Sequence, residues 1–285
     1  MTNYQSFESI IDQYKVFFLD SYGVLRNHDG VIDGIANTLN LLESKGKTYR
    51  IITNDASRDQ AALCEALHYY GLTMIKEKHI ISSGMMARSY LKNKVQDGLI
   101  AYLGTKKSAN NILQSTKTPI PIGEVTPQLY KDIVALVFLD DEGFDWNTDI
   151  NKAFNLLRYR NIPVIVANTD KIYPKSATEV NLAAGAIARL IETISGRTFI
   201  KFGKPDTQLF IHALETIKDY QLLSRKDIVM VGDTLHTDIL GGNKFGIATA
   251  LVLTGNTSAE EATLMIRTSS IIPDYVCASA GVNLF

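Results

Sequence analysis

The stretch Val16-Phe17-Phe18-Leu19-Asp20 joins four apolar residues directly to a carboxylate, and this junction decides the fold class. A short continuous apolar run is typical of a strand buried on both faces of a parallel sheet. The stretch Ile228-Val229-Met230-Val231-Gly232-Asp233 repeats the arrangement near the other end of the chain. If both runs are strands of one parallel sheet, Asp20 and Asp233 lie at the same edge, where open α/β sheets bind ligands.

The chain between and beyond these runs alternates short apolar segments with segments of helical period. We predict helices at Ile35–Lys45, Asp59–Tyr70, Thr148–Arg160 (with Thr148 as N-cap) and about 238–244. We predict further strands at Tyr49–Thr53, near Ile80–Ser82, at Ala135–Leu139, at Val164–Ala167 and at Ala248–Leu253, and a loop at Thr116–Thr126. This order predicts an α/β protein with helices on both faces of a parallel sheet.

Composition excludes several classes of protein. The chain has 285 residues, of which 46% are hydrophobic and 21% charged, with a formal net charge of −1. This length suggests about two domains, and so small a net charge gives no reason to bind nucleic acid or an anionic membrane. Apolar runs are too short for a membrane helix, and the charged N-terminal segment is unlike a signal peptide. Two cysteines, Cys64 and Cys277, form no disulfide framework, so we expect a cytoplasmic protein.

Two further polar elements belong with the aspartates. Thr53-Asn54 ends a predicted strand, where a hydroxyl and backbone N–H groups can hold a phosphate. Gly203-Lys204-Pro205-Asp206 precedes a predicted helix, with Pro205 expected in its first turn. A cation at a helix N-terminus opposes the helix dipole, so Lys204 indicates an anionic partner. Carboxylates at the same edge would suit Mg²⁺.

These four elements, in this order, resemble the haloacid dehalogenase superfamily of phosphohydrolases, and most of all its class IIA branch of nitrophenyl, nucleotide and sugar phosphatases. The resemblance extends from about Tyr14 to Thr257, and Val166–Asp170 with Gly185–Ile187 resembles the cap signature of that branch. It implies a doubly wound, Rossmann-like core made of residues 1–83 plus 200–285. It also implies an inserted α/β cap at residues 84–199, whose sheet could offer a homodimer surface.

The resemblance also implies roles for individual residues. Asp20 would be the nucleophile that forms an aspartyl-phosphate, with Lys204 bridging it to the phosphate. Thr53 would bind the phosphoryl oxygens, helped by the backbone of Asn54. The Mg²⁺ site would consist of Asp20, Asp233, the backbone carbonyl of Tyr22 and Asp238, with Asp238 anchoring a metal-bound water or Lys204. In the cap, the leaving group would be contacted by Asn168, Asp170 and Asp140. The implied activity is Mg²⁺-dependent hydrolysis of a small phosphorylated metabolite, such as a sugar phosphate.

Tyr22 departs from the family pattern, which places a second aspartate two residues after the nucleophile to protonate the leaving oxygen and then activate water. A tyrosine can donate a proton, but with a reference pKa near 10 it is a poor base. Three outcomes stay open: slow hydrolysis with a substitute base from Asp55, His28 or Asp29, a leaving group that needs no acid, or a non-catalytic phosphometabolite-binding protein.

A dinucleotide-binding oxidoreductase is a weaker alternative that the fold alone would allow. No Gly-x-Gly-x-x-Gly follows the first predicted strand, because Asp20 stands there instead. Fold likeness does not establish function. The hydrolase interpretation therefore depends on Asp20, Thr53, Lys204 and Asp233 meeting at one sheet edge.

Overall fold

Apolar runs form two separate parallel sheets in the computed structural model, which describes residues 4–113, 118–175 and 179–283. The strands are β1 Val16–Leu19, β2 Arg26–Asn27, β3 Gly30–Val31, β4 Thr48–Thr53, β5 Ile80–Ser82, β6 Leu99–Leu103, β7 Thr118–Pro121, β8 Ile133–Phe138, β9 Val164–Val166, β10 Ile172–Pro174, β11 Val180–Leu182, β12 Ile200–Lys201, β13 Ile228–Gly232, β14 Ala248–Val252 and β15 Tyr275–Cys277. The α-helices are α1 Glu8–Ile11, α2 Ile35–Ser44, α3 Gln60–Tyr69, α4 Ser83–Lys94, α5 Lys106–Leu113, α6 Asp149–Tyr159, α7 Ala184–Ser195, α8 Thr207–Glu215, α9 Leu240–Phe245 and α10 Ala259–Ser269. Within the described ranges, no helix is long and apolar enough to cross a bilayer.

The core sheet has the strand order β15-β14-β13-β1-β4-β5, and every neighbouring pair is parallel. If these six strands are renumbered 1 to 6 in chain order and the sheet is read from β5 to β15, the order is 3-2-1-4-5-6, which is that of a doubly wound fold. The direction of winding reverses between β1 and β13, which opens a crevice at their carboxyl ends. This confirms the predicted α/β class and Rossmann-like core.

Alternation along β1 explains why helices cover both faces of the core. Phe17 and Leu19 pack in one hydrophobic cluster, which includes the buried face of α2. Val16 and Phe18 point the other way, into a cluster with α8 and α9. Packing on both faces fixes the position of the β1 backbone from two sides. It thereby also fixes the position of Asp20, the residue that follows the strand.

The second sheet has the strand order β12-β9-β8-β6-β7 and is also parallel throughout. All of its strands except β12 lie within the segment that we predicted as the cap, and α4 packs on it through Ala87 and Leu91. One boundary differs from the prediction. Ile200 and Lys201 pair with β9, so they belong to the cap sheet and not to the returning core segment. A two-residue strand gives no periodic signal that sequence reasoning could detect.

Two predicted helix starts differ in detail from the structure. Thr148 is the N-cap residue of α6, as predicted, but its side chain makes no capping hydrogen bond. The carboxylate of Asp145 accepts the N–H groups of Asn147 and Thr148 instead, at 3.0 and 2.7 Å. Pro205 does not lie in the first turn of α8. It precedes Asp206, whose side chain caps the helix by accepting the N–H of Gln208.

The predicted loop Thr116–Thr126 contains a strand. Thr118–Pro121 forms β7 at the edge of the cap sheet, where proline is tolerated because the outer side of an edge strand needs no N–H donor. Residues 116 and 117 lie outside the described part of the chain. The structure also has an antiparallel hairpin of β10 and β11 that we did not predict.

Candidate active site

The crevice between β1 and β13 brings the two predicted strand ends together. Leu19 pairs with Val231, and the backbone N–H of Asp20 donates to the Val231 carbonyl at 2.9 Å. Asp20 and Asp233 therefore emerge side by side at the point where the winding of the sheet reverses. The sequence predicts this juxtaposition because both carboxylates directly follow buried strands.

Asp238 joins these two carboxylates. Asp20, Asp233 and Asp238 each place an oxygen atom within 4.8 Å of the others. Asp238 reaches the cluster because the chain forms a π-helical turn at Leu235–Ile239, directly after the strand that ends at Gly232. Gly232 leaves room for it, since a Cβ at that residue would lie 2.2 Å from the Asp238 side chain.

Lys204 is buried against this acidic cluster. Its Nζ lies 2.6 Å from Asp20 Oδ1 and 2.7 Å from Asp238 Oδ1, and its side chain is only 3% exposed. The residue sits in the loop between β12 and α8, two residues before the N-cap Asp206, and not at the helix start as predicted. Its anionic partners are Asp20 and Asp238.

The charges of the site shift one another's pKa values. Burial raises the pKa of Asp20 well above its usual range, and Asp238 and Asp233 add to this, whereas Lys204 opposes it. Burial and the charge of Asp238 raise the pKa of Asp233 to about 7. Burial alone would lower the pKa of Lys204, but its ion pairs with Asp20 and Asp238 raise it above the ordinary value.

The donor set fits a divalent cation. Three buried or nearly buried carboxylates face the single ammonium of Lys204, which leaves an excess of negative charge. Hard oxygen ligands of this kind are those that Mg²⁺ and Ca²⁺ take in proteins. A bound dication would remove the repulsion that raises the pKa of Asp233.

A loop after β14 holds Asp233 in place, and sequence reasoning missed it. The N–H of Asn256 donates to Asp233 Oδ2 at 2.6 Å, and the Thr257 hydroxyl donates to the Asp233 carbonyl at 2.6 Å. Gly255 permits this approach, because a Cβ there would lie 2.0 Å from Asp233 Oδ2. The only sequence signal was a glycine two residues beyond a predicted strand, which by itself marks a turn.

Thr53 and Asn54 lie at the end of β4, beside β1, but their side chains have different surroundings. Thr53 lines the crevice, and its hydroxyl accepts the N–H of Asp55 at 3.2 Å. The Asn54 side chain turns away to Lys204, whose N–H it accepts at 2.7 Å and to whose carbonyl it donates at 3.1 Å. Asn54 also donates to Asp170 Oδ1 at 2.8 Å. It therefore ties the core to the cap, a role that sequence reasoning did not assign to it.

Tyr22 lies where the family pattern has an aspartate. Its hydroxyl is buried and makes no hydrogen bond of normal distance and angle with any described residue. The backbone of His28 lies close enough to lower the pKa of Tyr22. Burial, followed by the charge of Asp233, raises the pKa of Tyr22 above its usual value. The Arg26 guanidinium lies 5.8 Å from the centre of the Tyr22 ring. Tyr22 is therefore a protonated phenol at neutral pH.

The substitute bases considered from the sequence are placed unequally. Asp55 lines the same crevice as Tyr22, with its Oδ1 accepting the N–H of Ser57 at 2.8 Å. His28 and Asp29 pair with each other at 3.2 Å in the turn between β2 and β3. Neither is among the residues that line the crevice. Of the three, Asp55 is the one beside the site.

The cap closes over the crevice and leaves a cavity of about 370 Å³. Its core wall includes Ser21 and Tyr22, next to Asp20, and its cap wall includes all three predicted cap residues, namely Asp140, Asn168 and Asp170. Burial and the neighbouring Asp141 raise the pKa of Asp140 to about 6. Burial also raises the pKa of Asp170, which is engaged by Asn54.

Comparison with known proteins identifies the family. Residues 17–116 match the sequence model of a haloacid dehalogenase-like hydrolase family, and residues 201–280 match that of a HAD-hydrolase-like family. Phosphoglycolate phosphatase 2 of Arabidopsis thaliana is 30% identical over 97% of this chain and 94% of its own length. The chain belongs to the haloacid dehalogenase-like hydrolases. The gap between the two matched segments falls within the cap.

Solved structures place this hydrolase in the class IIA branch. A protein of Cytophaga hutchinsonii described as a possible sugar phosphatase is 47% identical, with a TM-score of 0.94 over the whole of both chains. The p-nitrophenyl phosphatase of Archaeoglobus fulgidus is 25% identical, with a TM-score of 0.78 over 94% of this chain and 97% of that one. The expected family and branch are confirmed, and with them the enzyme class, phosphoric monoester hydrolase.

Proposed function

We propose that this chain is a Mg²⁺-dependent phosphatase that hydrolyses a small phosphate monoester through an aspartyl-phosphate at Asp20. The observation that carries the proposal is the ammonium of Lys204, buried at 2.6 Å from Asp20 and 2.7 Å from Asp238, with the neighbours of Asp20, Ser21 and Tyr22, lining the cavity. An ammonium so placed stabilises Asp20 as a carboxylate and remains beside any phosphoryl group bound to it. Phosphoryl transfer requires little more than such positioning and charge stabilisation.

The contacts of Asp20 favour one oxygen as the attacking atom. Lys204 Nζ and the Ser21 N–H both contact Oδ1, at 2.6 and 2.7 Å. In the first step Asp20 Oδ2 would attack phosphorus while the bond from phosphorus to the ester oxygen breaks. In the second step water would attack the phosphorus and release phosphate, which regenerates the carboxylate.

Mg²⁺ would be held by Asp20, Asp233 and the backbone carbonyl of Tyr22, and when bound it would neutralise the phosphoryl oxygens. Asp238, whose Oδ1 contacts Lys204, would keep that lysine in place and add to the negative charge around the cation. Thr53 would bind the transferring phosphoryl oxygens, because its side chain lines the crevice at the end of the neighbouring strand.

Tyr22 would assist the two steps unequally. A buried phenol without a hydrogen-bond partner among the described residues is available to donate a proton to the leaving oxygen. The phenolate that this donation leaves would take a proton back from solvent, because the pKa of Tyr22 is raised, and the protonated phenol cannot accept a proton from the water that must attack in the second step. Hydrolysis of the aspartyl-phosphate would then limit the rate, and Asp55, which lines the crevice, would be the group that accepts the proton of the attacking water.

A non-catalytic phosphometabolite-binding protein is the second candidate, and Tyr22 is the observation in its favour. Loss of a general base alone typically costs 10²–10⁴-fold in rate, an order of magnitude that could leave binding as the retained activity. The same carboxylates, lysine and threonine would then bind the phosphate group without turnover.

Location and assembly are part of the proposal. The cysteines Cys64 and Cys277 are buried free thiols, which suits the reducing cytoplasm. Exposed apolar side chains on the β10–β11 hairpin of the cap offer a surface on which two copies could associate as a homodimer, namely Ile172, Val180 and Leu182.

Phosphate release from nitrophenyl phosphate and from a panel of sugar phosphates, with Mg²⁺ and with EDTA, tests the proposal. We expect metal-dependent turnover by the wild type that Asp20→Asn abolishes. Tyr22→Asp, which restores the family's aspartate, should raise the rate. If only Tyr22→Asp turns over, the wild type is the binding protein, and if neither does in the presence of Mg²⁺, the phosphatase proposal is wrong.

A further inference from the structure

The cap wall of the cavity carries two adjacent carboxylates at the end of β8. Asp140 and Asp141 both line the cavity. The Tyr173 hydroxyl donates to Asp141 Oδ2 at 2.9 Å, and the Asn181 amide donates to the Tyr173 oxygen at 3.1 Å. Tyr173 and Asn181 pair across the β10–β11 hairpin, so the hairpin fixes the direction in which Asp141 points.

The cavity as a whole is more acidic than basic. Among the described residues that line it, the basic ones are Arg26 and Arg58, and the acidic ones are Asp55, Asp140, Asp141 and Asp170. The guanidinium of Arg26 is occupied by aromatic rings, at 5.8 Å from the centre of Tyr22 and 5.6 Å from that of Tyr70. The excess of negative charge therefore faces whatever part of the substrate extends from the phosphate towards the cap.

We propose that Asp140 and Asp141 select leaving groups that carry hydroxyl or ammonium groups and reject leaving groups that end in a carboxylate. A hydroxyl or an ammonium can donate a hydrogen bond to these carboxylates, whereas a carboxylate has no proton to donate and adds a like charge. This inference rests on the proposed phosphatase function and narrows its substrate class. It also separates the chain from its Arabidopsis relative, which is named for phosphoglycolate.

The ionisation of Asp140 supports the inference. Burial and Asp141 raise the pKa of Asp140 to about 6, so that this carboxyl is mostly ionised at pH 7.5. A raised pKa also means that the surroundings of Asp140 disfavour a negative charge, and they would disfavour a substrate carboxylate for the same reason.

Three phosphate esters of equal length test the selection by charge. They are 2-phosphoglycolate, 2-hydroxyethyl phosphate and 2-aminoethyl phosphate, whose far ends are anionic, neutral and cationic. We expect the kcat/KM of the wild type at pH 7.5 to be roughly tenfold or more lower for 2-phosphoglycolate than for 2-hydroxyethyl phosphate, the size of one charge interaction in a partly screened cavity. Asp140→Asn and Asp141→Asn should each narrow this ratio.

Glu142→Gln is the matched control, since it removes the same charge from the next residue, which is exposed and does not line the cavity. Its charge raises the pKa of Asp140 only as the least of the causes that act on that carboxyl, so Glu142→Gln should change the ratio much less than Asp140→Asn or Asp141→Asn. Equal kcat/KM values for the anionic and neutral esters, or a ratio unmoved by Asp140→Asn, would overturn the inference.

Nitrophenyl phosphate separates failure of this inference from failure of the phosphatase proposal. If the wild type turns over neither nitrophenyl phosphate nor any of the three esters, catalysis is absent, and the dissociation constants of the esters measured by calorimetry replace kcat/KM. The same order of preference would then uphold the selection by charge, and equal affinities would refute it.

Discussion

Replacing Lys204 with methionine removes the buried ammonium but keeps a long unbranched side chain. The ammonium lies 2.6 Å from Asp20 and 2.7 Å from Asp238, and both partners are buried or nearly so. At an effective dielectric constant of about 20, each contact corresponds to roughly 6 kcal/mol of Coulomb attraction. The cost of desolvating the three charged groups offsets most of this Coulomb attraction, so the attraction does not equal the stability that the two ion pairs contribute.

The expected loss of unfolding free energy follows from the unpaired carboxylates that the substitution leaves buried. Removing one partner of a buried ion pair leaves an uncompensated charge and typically costs about 3–5 kcal/mol of unfolding free energy. We expect Lys204→Met to lose about this much at pH 7.5 in EDTA. We also expect no phosphate release, because the charge that stabilises the transferring phosphoryl group is gone.

Lys201→Met is the control for this prediction. Lys201 Nζ lies 2.6 Å from Glu192 Oε2, as close as the buried pair, but its side chain is 46% exposed. Solvent screens such a pair, and its loss should cost no more than about 1 kcal/mol. Urea unfolding followed by circular dichroism measures both variants. Equal unfolding free energies for Lys204→Met and Lys201→Met would refute the view that burial gives the Lys204 ion pairs their strength.

Three further changes test other parts of the account. Gly255→Ala should weaken activation by Mg²⁺ in a titration of activity against metal, because its Cβ would lie 2.0 Å from Asp233 Oδ2; unchanged half-activation would contradict this. His79→Gln should flatten the pH dependence of the unfolding free energy measured in urea. Burial and nearby cations lower the pKa of His79 to about 4 in the folded chain, whereas a histidine of the unfolded chain titrates near 6.5. The unfolded chain therefore binds the proton first, and the wild type should lose roughly 2 kcal/mol of unfolding free energy as pH falls from 6.5 to 4. A variant that loses stability over this range as steeply as the wild type would contradict it. Asn54→Ala should lower kcat roughly tenfold or more, with a smaller change in KM, because Asn54 positions the Lys204 backbone; steady-state kinetics that show a KM effect alone would contradict it.

The core and the acidic pair were predictable because their signal is local. Each apolar run is buried over its full length, and each is followed at once by the residue that forms the site, Asp20 after Leu19 and Gly232-Asp233 after Val231. The parallel register then brings the two ends together without further information. The anionic surroundings of Lys204 were expected from a helix start that the structure places further along, at Thr207, so the ion pairs were anticipated but the reason for them was not.

The contacts between core and cap were not predictable, because they join residues far apart in sequence. Asn54 contacts Asp170 of the cap and Lys204 of the returning core segment, which lie 116 and 150 residues further along the chain. Its residue type, at a strand end, indicates no more than a turn. The strand Ile200–Lys201 and the hairpin that holds Asp141 were missed because each strand is two or three residues long, too short for a period to show.

The most direct test of the central claim is to look for the phosphoryl group on Asp20. The enzyme would be mixed with Mg²⁺ and nitrophenyl phosphate, quenched in acid during turnover and mapped by peptide mass spectrometry. We predict one added phosphoryl group on the peptide that contains Asp20, accumulating because Tyr22 is a poor base for the second step, and its loss in Asp20→Asn. Sustained phosphate release by the wild type with no phosphorylated Asp20 peptide, or by Asp20→Asn, would contradict the account.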